Sequence, residues 1–279
     1  MSAPTPYERF RALHERPQAF IMPNAWDGAS AVLLKRAGFE ALGSSSLAIA
    51  LALGRPDGIH AVSRAAAIEN AAMLARLSEL PVNGDLEDGF GAEPEDCVAT
   101  VEAAIAAGLA GLGIEDTTAD PRQPLHDFDR AVRRIARAAQ AARGRILLTG
   151  RTDNFLQGRP DLDDTLRRLT AFAEAGADVL YAPGLPDLEA IGAAVRAVAP
   201  KPLNVLIGPR TGAVPLATLS ELGVRRVSLG GALYRRSLGT LVEVAGRVNQ
   251  GELAAALGGP SIDEITKLLP LEGSLEAKL

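Results

Sequence analysis

The chain has 279 residues, of which 47% are hydrophobic and 23% are charged, so it has an ordinary globular composition and is long enough to bury a full core. A formal charge of −5 offers no basic surface for a phosphate backbone, which excludes nucleic acid as an expected partner, and no run approaches the roughly 18 apolar residues of a membrane span. The N-terminus lacks a signal-peptide pattern and the single cysteine, Cys97, excludes an internal disulfide framework, so we expect a cytoplasmic protein.

Eight apolar runs of strand length are spaced along the chain, and helical segments separate them. Four of them share one pattern, in which an alanine- or leucine-rich helical segment ends at a glycine and the apolar run begins at once. A glycine at that point can adopt the positive φ with which many helices end. In chain order, the passages that contain the eight runs are 18–23, 35–45, 81–85, 106–116, 145–150, 174–184, 202–208 and 221–231.

Strands that alternate with helices indicate parallel pairing with right-handed crossovers. Eight such units in about 240 residues match the size of a closed barrel. The competing α/β fold is a doubly wound sheet, which usually has a glycine-rich phosphate loop after its first strand, whereas this chain reads N-A-W-D at 24–27. We therefore predict an α/β fold, a (β/α)₈ TIM barrel over residues 1–237. The C-terminal helical extension over 238–279 either packs on its own barrel or reaches a neighbouring subunit.

Acidic residues follow consecutive strands at the barrel end where the active sites of this fold lie. Asp85 and Glu87 follow the third strand, and Glu115 follows the fourth. Carboxylates held close together repel one another, and a cation relieves that repulsion. Because the set offers only oxygen ligands, it favours Mg²⁺ or Mn²⁺ over Zn²⁺. Three further acids at these strand ends are as well explained as caps of the following helices: Asp88, Asp116 and Asp153.

Residues suited to an anionic substrate lie at the same predicted rim. Arg151 ends the fifth strand, where its guanidinium can bind a carboxylate through two parallel hydrogen bonds or pair with the neighbouring acids. Ser44, Ser45 and Ser46 follow the second strand and form either an anion site or an ordinary polar loop. Asn204 lies in the seventh strand. No lysine stands at the C-terminal end of a strand, so Schiff-base chemistry is not expected.

Five motifs occur in the order found in a known superfamily. They are N-A-W-D (24–27), S-S-S-L-A-I-A-L-A-L-G-R-P-D-G (44–58), D-L-E-D-G-F-G (85–91), G-I-E-D (113–116) and G-R-T-D-N (150–154). Together they resemble the isocitrate lyase / phosphoenolpyruvate mutase superfamily over roughly residues 18–235. The resemblance implies a (β/α)₈ barrel that holds Mg²⁺, partly through water, and activates a small 2-oxo acid. It also implies a homotetramer in which a late helix is exchanged between subunits.

The resemblance assigns expected roles to individual residues. Its metal-binding region falls on four acids: Asp57, Asp85, Glu87 and Glu115. Its substrate-carboxylate site matches Ser45 and the backbone at Ser46, and its substrate-binding arginine matches Arg151. We take Arg151 and Glu115 as catalytic candidates, with Ser44 and Asn204 as further substrate contacts. Two positions depart from the family, since Glu87 stands where it has aspartate and Ser46 where it has glycine.

Both loop motifs that distinguish the branches of the superfamily are missing. The lyase branch has a catalytic cysteine in the loop after the fourth strand, whereas residues 117–127 read T-T-A-D-P-R-Q-P-L-H-D. The mutase branch has a loop asparagine and a histidine after the sixth strand, which here ends Y-A-P-G (181–184). The shared half-reaction predicts a Mg²⁺-dependent carbon–carbon lyase or decarboxylase that acts through an enolate on a 2-oxo acid such as oxaloacetate, or on a 2-hydroxy acid precursor.

Two alternatives stay open at this point. One is phosphorus–carbon chemistry on phosphonopyruvate, as a hydrolase or a phosphoenolpyruvate mutase, for which Arg122 and His126 in the loop would contact the phosphoryl group. The other is a barrel that binds 2-oxo acids without turning them over.

Overall fold

Each of the eight predicted apolar runs forms a strand in the computed structural model, which describes residues 3–208 and 211–269. The strands are β1 Phe20–Met22, β2 Leu42–Gly43, β3 Val82–Asp85, β4 Gly111–Glu115, β5 Leu147–Arg151, β6 Val179–Tyr181, β7 Leu203–Leu206 and β8 Arg226–Ser228. They pair in parallel in the order β1-β8-β7-β6-β5-β4-β3-β2. A parallel bridge from Asn24 to Gly43 joins the two remaining edges. The predicted (β/α)₈ TIM barrel is confirmed.

Helices connect the strands and cover the outside of the barrel. They are α1 Pro6–His14, α2 Gly28–Arg36, α3 Ser46–Ala52, α4 Arg64–Ser78, α5 Pro94–Ala106, α6 Phe128–Ala142, α7 Leu162–Glu174, α8 Leu188–Val198, α9 Leu216–Glu221, α10 Ala232–Asn249 and α11 Ile262–Thr266. Most begin after a side chain that accepts a hydrogen bond from the first turn, as Asp27, Ser63 and Asp187 do. The four predicted helix-ending glycines all have positive φ: Gly38, Gly108, Gly176 and Gly223.

Helix α1 closes the N-terminal end of the barrel, a role that the sequence pattern did not predict. It begins with a capping box formed by Thr5 and Glu8. Its Phe10 is fully buried and packs with Phe20 and Leu147, each at the start of a strand. The Phe10 and Phe20 rings lie 6.3 Å apart in an edge-to-face arrangement. The barrel interior therefore has an apolar plug at one end and is open at the other.

The C-terminal helices leave a large apolar surface uncovered. Helix α10 runs without interruption across residue 237, so the predicted extension is continuous with the helix that follows β8. Two of its apolar side chains and three in the segment after it are exposed by 62 to 87%: Leu241, Val242, Leu253, Leu257 and Ile262. The last part of the predicted extension, 270–279, lies outside the described residues. Within the described ranges, no helix has both the length and the apolarity to cross a membrane.

Candidate active site

A polar cavity of about 190 Å³ opens at the C-terminal ends of the strands. Seven of the predicted site residues line it: Ser44, Ser45, Ser46, Asp57, Asp85, Arg151 and Asn204. A second hollow shares Asp57 with the first and is lined by the other two, Glu87 and Glu115. The Glu115 amide donates to the Glu87 carbonyl oxygen at 3.0 Å, which ties the ends of β3 and β4 together. The structure thus brings all nine predicted site residues to one end of the barrel.

Arg151 is the centre of an ion-pair cluster at this rim. Its Nε and Nη2 donate to the two carboxylate oxygens of Asp153 at 2.6 and 2.7 Å. Its Nη1 lies 2.9 Å from Glu115 Oε2 and 3.3 Å from Asp85 Oδ1. The guanidinium also lies over the Tyr181 ring, 5.3 Å from its centroid. Of the two roles predicted for Arg151, the structure shows the pairing with neighbouring acids.

The three serines position Asp85 and the start of helix α3. Ser44 Oγ accepts a hydrogen bond from the Asp85 amide at 2.8 Å. The Ser46 amide and hydroxyl both donate to Asp85 Oδ2 at 2.9 Å. Ser45 is the N-cap of α3, and its hydroxyl accepts from the Ala48 amide. These donors face the cavity and already bind a carboxylate, that of Asp85.

Three of the four predicted metal-binding acids lie in surroundings that disfavour their charged forms. Burial raises the pKa of Glu115 well above its usual range, although Arg151 opposes the shift. Burial and the Asp85 charge raise the pKa of Glu87 to about 7. The same two causes, burial first, raise the pKa of Asp57. Positive charge placed among these groups would favour ionisation of all of them.

The donor set suits a hard cation that keeps part of its water shell. All four predicted ligands offer carboxylate oxygens, the donors that Mg²⁺ prefers. In the part of the chain that the structure describes, no three His, Cys, Asp or Glu side chains are placed to hold one ion directly. Asp85 and Glu115 instead share the Arg151 guanidinium. Because Mg²⁺ commonly binds through one or two carboxylates and several waters, these residues fit an ion held largely through water.

The alternative explanation for three nearby acids, that they cap helices, is wrong. The residues that cap α5, α6 and α7 are Glu93, Asp127 and Asp161. Asp116 instead accepts from Thr152 Oγ1 at 2.7 Å and pairs with Arg168 at 3.0 Å. The other two, Asp153 and Asp88, bind Arg151 and the His60 ring respectively. The Asp116 and Asp88 carboxylates bind residues that are far from them in the sequence, which a local pattern does not reveal.

Two residues of the site escaped the sequence pattern. His60 follows Asp57 in the same loop, lines the second hollow and lies 2.6 Å from Asp88 Oδ1 through Nε2. Arg226 begins β8, is 1% exposed and lines the main cavity. Two features of the sequence could have indicated these residues. His60 follows Asp57 at short spacing, and Arg226 is a charged residue at the start of the strand passage R-R-V-S-L.

The loop after β4 folds into a hairpin closed by a bridge between Thr117 and Leu125. Arg122 is exposed at its tip and is ion-paired with Asp120 at 3.0 Å. His126 is buried and lines neither hollow, and burial lowers its pKa to about 4. Cys97 lies on α5 beneath Asp88, and burial raises the pKa of its thiol to about 11, so its role is one of packing.

A (β/α)₈ barrel with a polar cavity at the carboxyl ends of its strands is an enzyme architecture. The sequence model of the phosphoenolpyruvate phosphomutase family matches residues 10–249. A structure from Burkholderia cenocepacia J2315, provisionally assigned as a lyase/mutase, is 44% identical, with a TM-score of 0.89 over 94% of each chain. A 2,3-dimethylmalate lyase is 25% identical, with a TM-score of 0.86 over 99% of each chain. An oxaloacetate decarboxylase from Paraburkholderia xenovorans (strain LB400) is 31% identical, over 94% of this chain and 88% of its own.

The chain belongs to the phosphoenolpyruvate phosphomutase family, and the predicted isocitrate lyase / phosphoenolpyruvate mutase superfamily is confirmed. Relatives named for lyase and decarboxylase activities match most of the chain, so the expectation of an enzyme of this superfamily is also confirmed. These relatives act on different acids.

Proposed function

We propose that the protein is a Mg²⁺-dependent lyase or decarboxylase that breaks a carbon–carbon bond in a small 2-oxo acid, or in a 2-hydroxy acid precursor. The observation that carries the proposal is that Asp85 and Glu115 meet on one nitrogen of Arg151, at 3.3 and 2.9 Å, where the main cavity adjoins the second hollow. A cation and a substrate carboxylate would each find a partner among these groups. Relatives named 2-methylisocitrate lyase and oxaloacetate decarboxylase support this class of substrate.

The four acids are proposed to hold the cation, with Asp85 and Asp57 on the side of the main cavity and Glu87 and Glu115 on the side of the second hollow. When bound, Mg²⁺ would supply positive charge beside the oxygen at C2, where negative charge develops as a bond at C3 breaks. Thr117 orients Glu115 for this role. The Thr117 hydroxyl donates to Glu115 Oε1 at 2.7 Å, which fixes the carboxylate so that its other oxygen faces Arg151.

Arg151 and the serines are proposed to orient the substrate. Asp153 holds Nε and Nη2, so the guanidinium keeps its orientation while Nη1 exchanges partners. Nη1 would bind a substrate carboxylate once Asp85 and Glu115 turn to the cation. The Ser46 amide and hydroxyl, released from Asp85 in the same way, would donate to that carboxylate beside Ser45.

Product release from a panel of 2-oxo and 2-hydroxy acids of four to seven carbons tests this proposal. We expect pyruvate or glyoxylate to form with Mg²⁺ or Mn²⁺, and the rate to fall about a hundredfold or more in EDTA. Asp85→Asn should cause a similar loss. Asp120→Asn, which removes an exposed loop acid, is the matched control and should leave the rate unchanged. Equal rates with and without the chelator would remove the proposal.

The two alternative activities have separate tests. Phosphorus–carbon chemistry predicts phosphate release from phosphonopyruvate, but Arg122 is paired with Asp120 at the loop tip and His126 lies away from the cavity. A binding protein without catalysis predicts thermal stabilisation by 2-oxo acids with no product from any of them. The placement of the two loop residues favours the carbon–carbon reaction over the first alternative.

We also propose that the protein is a homo-oligomer, a tetramer by analogy with the superfamily, built through the C-terminal helices. The support is the exposure of Val242 by 73% and Leu257 by 87% on a surface whose apolar residues are covered by none of the residues that the structure describes. Light scattering after size exclusion should give a multiple of 29.1 kDa. Val242→Glu should shift it toward the monomer, whereas Glu243→Gln on the same helix should not.

A further inference from the structure

A second arginine lies inside the barrel, between the rim and the plug formed by α1. Arg226 is the first residue of β8 and pairs with Phe20 and Asn204 in the strand register. Its side chain is 1% exposed and lines the same cavity as Arg151. The cavity therefore has one arginine at its rim and another at its floor.

Among the described residues, every polar partner of Arg226 is a neutral group. Nε donates to Asn204 Oδ1 and Nη2 to Thr149 Oγ1, both at 3.0 Å. Nη1 lies 3.4 Å from His14 Nε2. The other ring nitrogen of His14 donates to the Phe10 carbonyl oxygen at 2.8 Å, which leaves Nε2 as an acceptor. Burial, followed by the Arg226 charge, lowers the pKa of His14 to about 3, so the ring is neutral.

The other arginines buried to a similar degree are paired with acids. Arg168 lies 3.0 Å from Asp116, and Arg134 lies 3.9 Å from Asp88. Across residues 3–208 and 211–269, no carboxylate forms an ion pair with Arg226. A charge removed from water is ordinarily compensated by an opposite charge. The guanidinium carries five N–H donors, and the three contacts above use one on each nitrogen, so two remain for another acceptor.

We propose that Arg226 binds the second carboxylate of a dicarboxylic substrate at the floor of the cavity. This inference rests on the proposed function and narrows its substrate from 2-oxo acids in general to diacids. Thr149 precedes Arg151 by two residues on β5, and both face the barrel interior, so its contact with Arg226 lies about 7 Å below the Arg151 position. A short diacid can therefore reach the floor with one carboxylate while the other lies near the rim.

Calorimetric titration with pairs of acids that differ by one carboxylate tests the inference. Succinate and propionate are compared in EDTA, and 2-oxoglutarate and 2-oxobutyrate are compared with Mg²⁺. We expect the diacid of each pair to bind at least about tenfold more tightly to the wild-type protein. Arg226→Gln should abolish this preference. Arg225→Gln, which removes a charge from the preceding residue outside the cavity, should preserve it.

A second substitution keeps the inference testable if Arg226→Gln fails to fold. Asn204→Asp places a carboxylate 3.0 Å from Arg226 Nε with little change in shape, and this internal anion should abolish the preference for diacids although Arg226 is intact. Equal binding of succinate and propionate, a preference that survives both substitutions, or sulfate binding as tightly as succinate would each overturn the inference.

The succinate pair requires neither metal nor turnover, so its result does not depend on the proposed reaction. A clear succinate preference without turnover of any 2-oxo acid would break the proposed function and leave the anion site standing. Turnover of 2-oxo acids with no preference for diacids would support the proposed function and remove the anion site at Arg226.

Discussion

The rim and the floor of the cavity carry the same kind of side chain in opposite surroundings. At the rim, Arg151 contacts three carboxylates and is outnumbered by negative charge. At the floor, Arg226 contacts an amide, a hydroxyl and a neutral imidazole, and the positive charge is in excess. The barrel thus separates uncompensated charges of opposite sign along one cavity. Such an arrangement suits the simultaneous binding of a cation and an anionic substrate.

Removal of the rim arginine is expected to have the largest effect. Arg151→Gln leaves one buried and two partly buried carboxylates without their shared partner and removes a proposed substrate contact, so we expect kcat/KM to fall by about 10³ or more and stability by about 3–5 kcal/mol. Steady-state kinetics and urea unfolding measure the two losses. Arg122→Gln, which removes an exposed loop arginine, is the control and should change neither. An active Arg151→Gln enzyme would show that the rim cluster has only a structural role.

A substitution in the apolar plug formed by α1 should lower the stability of the protein without changing the charged groups of the cavity. Phe10→Ala creates a cavity below the floor, and we expect a loss of about 3–5 kcal/mol, with Tm lower by several degrees. Leu53→Ala, at a position 54% exposed at the end of α3, is the matched control and should stay within about 0.5 kcal/mol of the wild type. A loss of less than about 1 kcal/mol for Phe10→Ala would contradict the description of α1 as a closing plug.

The excess negative charge at the rim should be visible in the pH dependence of stability. Because the pKa of Glu87 rises from 4.5 to about 7 on folding, the folded state binds its proton more tightly, and stability is lost as pH rises through this interval. Relative to Glu87→Gln, the wild type should lose on the order of 2 kcal/mol between pH 4.5 and 7 in EDTA. Urea unfolding at several pH values gives this difference. Parallel pH curves for the two proteins would show that Glu87 does not titrate in this range.

The smallest expected effect comes from compensating the positive charge of Arg226 at the floor of the cavity. Asn204→Asp gives Arg226 a carboxylate partner, and we expect the ligand-free protein to gain about 1 kcal/mol from the new charged hydrogen bond. Differential scanning calorimetry should show a modest rise in Tm. Asn83→Asp, which adds an acid to the cavity without a hydrogen bond to Arg226, is the control and should not stabilise the protein. A fall in Tm for Asn204→Asp alone would indicate that Arg226 already has its charge compensated.

The sequence was sufficient to predict the barrel and to bring the candidate site residues to one end of it. Eight apolar runs, four of them directly after helix-ending glycines, identify the strands, and the rule that active sites lie at strand C-termini selects Asp85, Glu115 and Arg151. These inferences need only local pattern and fold geometry. For that reason they do not depend on which side chains meet across the barrel.

The remaining features depend on contacts between distant parts of the chain. Helix α1 acts as a plug because Phe10 meets Phe20 and Leu147 in the folded protein, and its nine residues give no local sign of this. Asp116 looks like a helix cap until Arg168, on α7, is seen to pair with it. Among the described residues, Arg226 has no acidic partner. This depends on the side chains that every strand places in the barrel interior, so the sequence of β8 alone does not predict it.

Calorimetric titration of the metal-free protein with Mn²⁺ near pH 6.5, in buffers of different ionisation enthalpy, tests the central claim that the acids at the rim are arranged for a cation. We expect one ion to bind per chain and protons to be released, because the cation favours ionisation of Glu87 and Glu115. Asp85→Asn should weaken binding about tenfold or more. Absence of binding, or binding without proton release that Asp85→Asn leaves unchanged, would contradict the account.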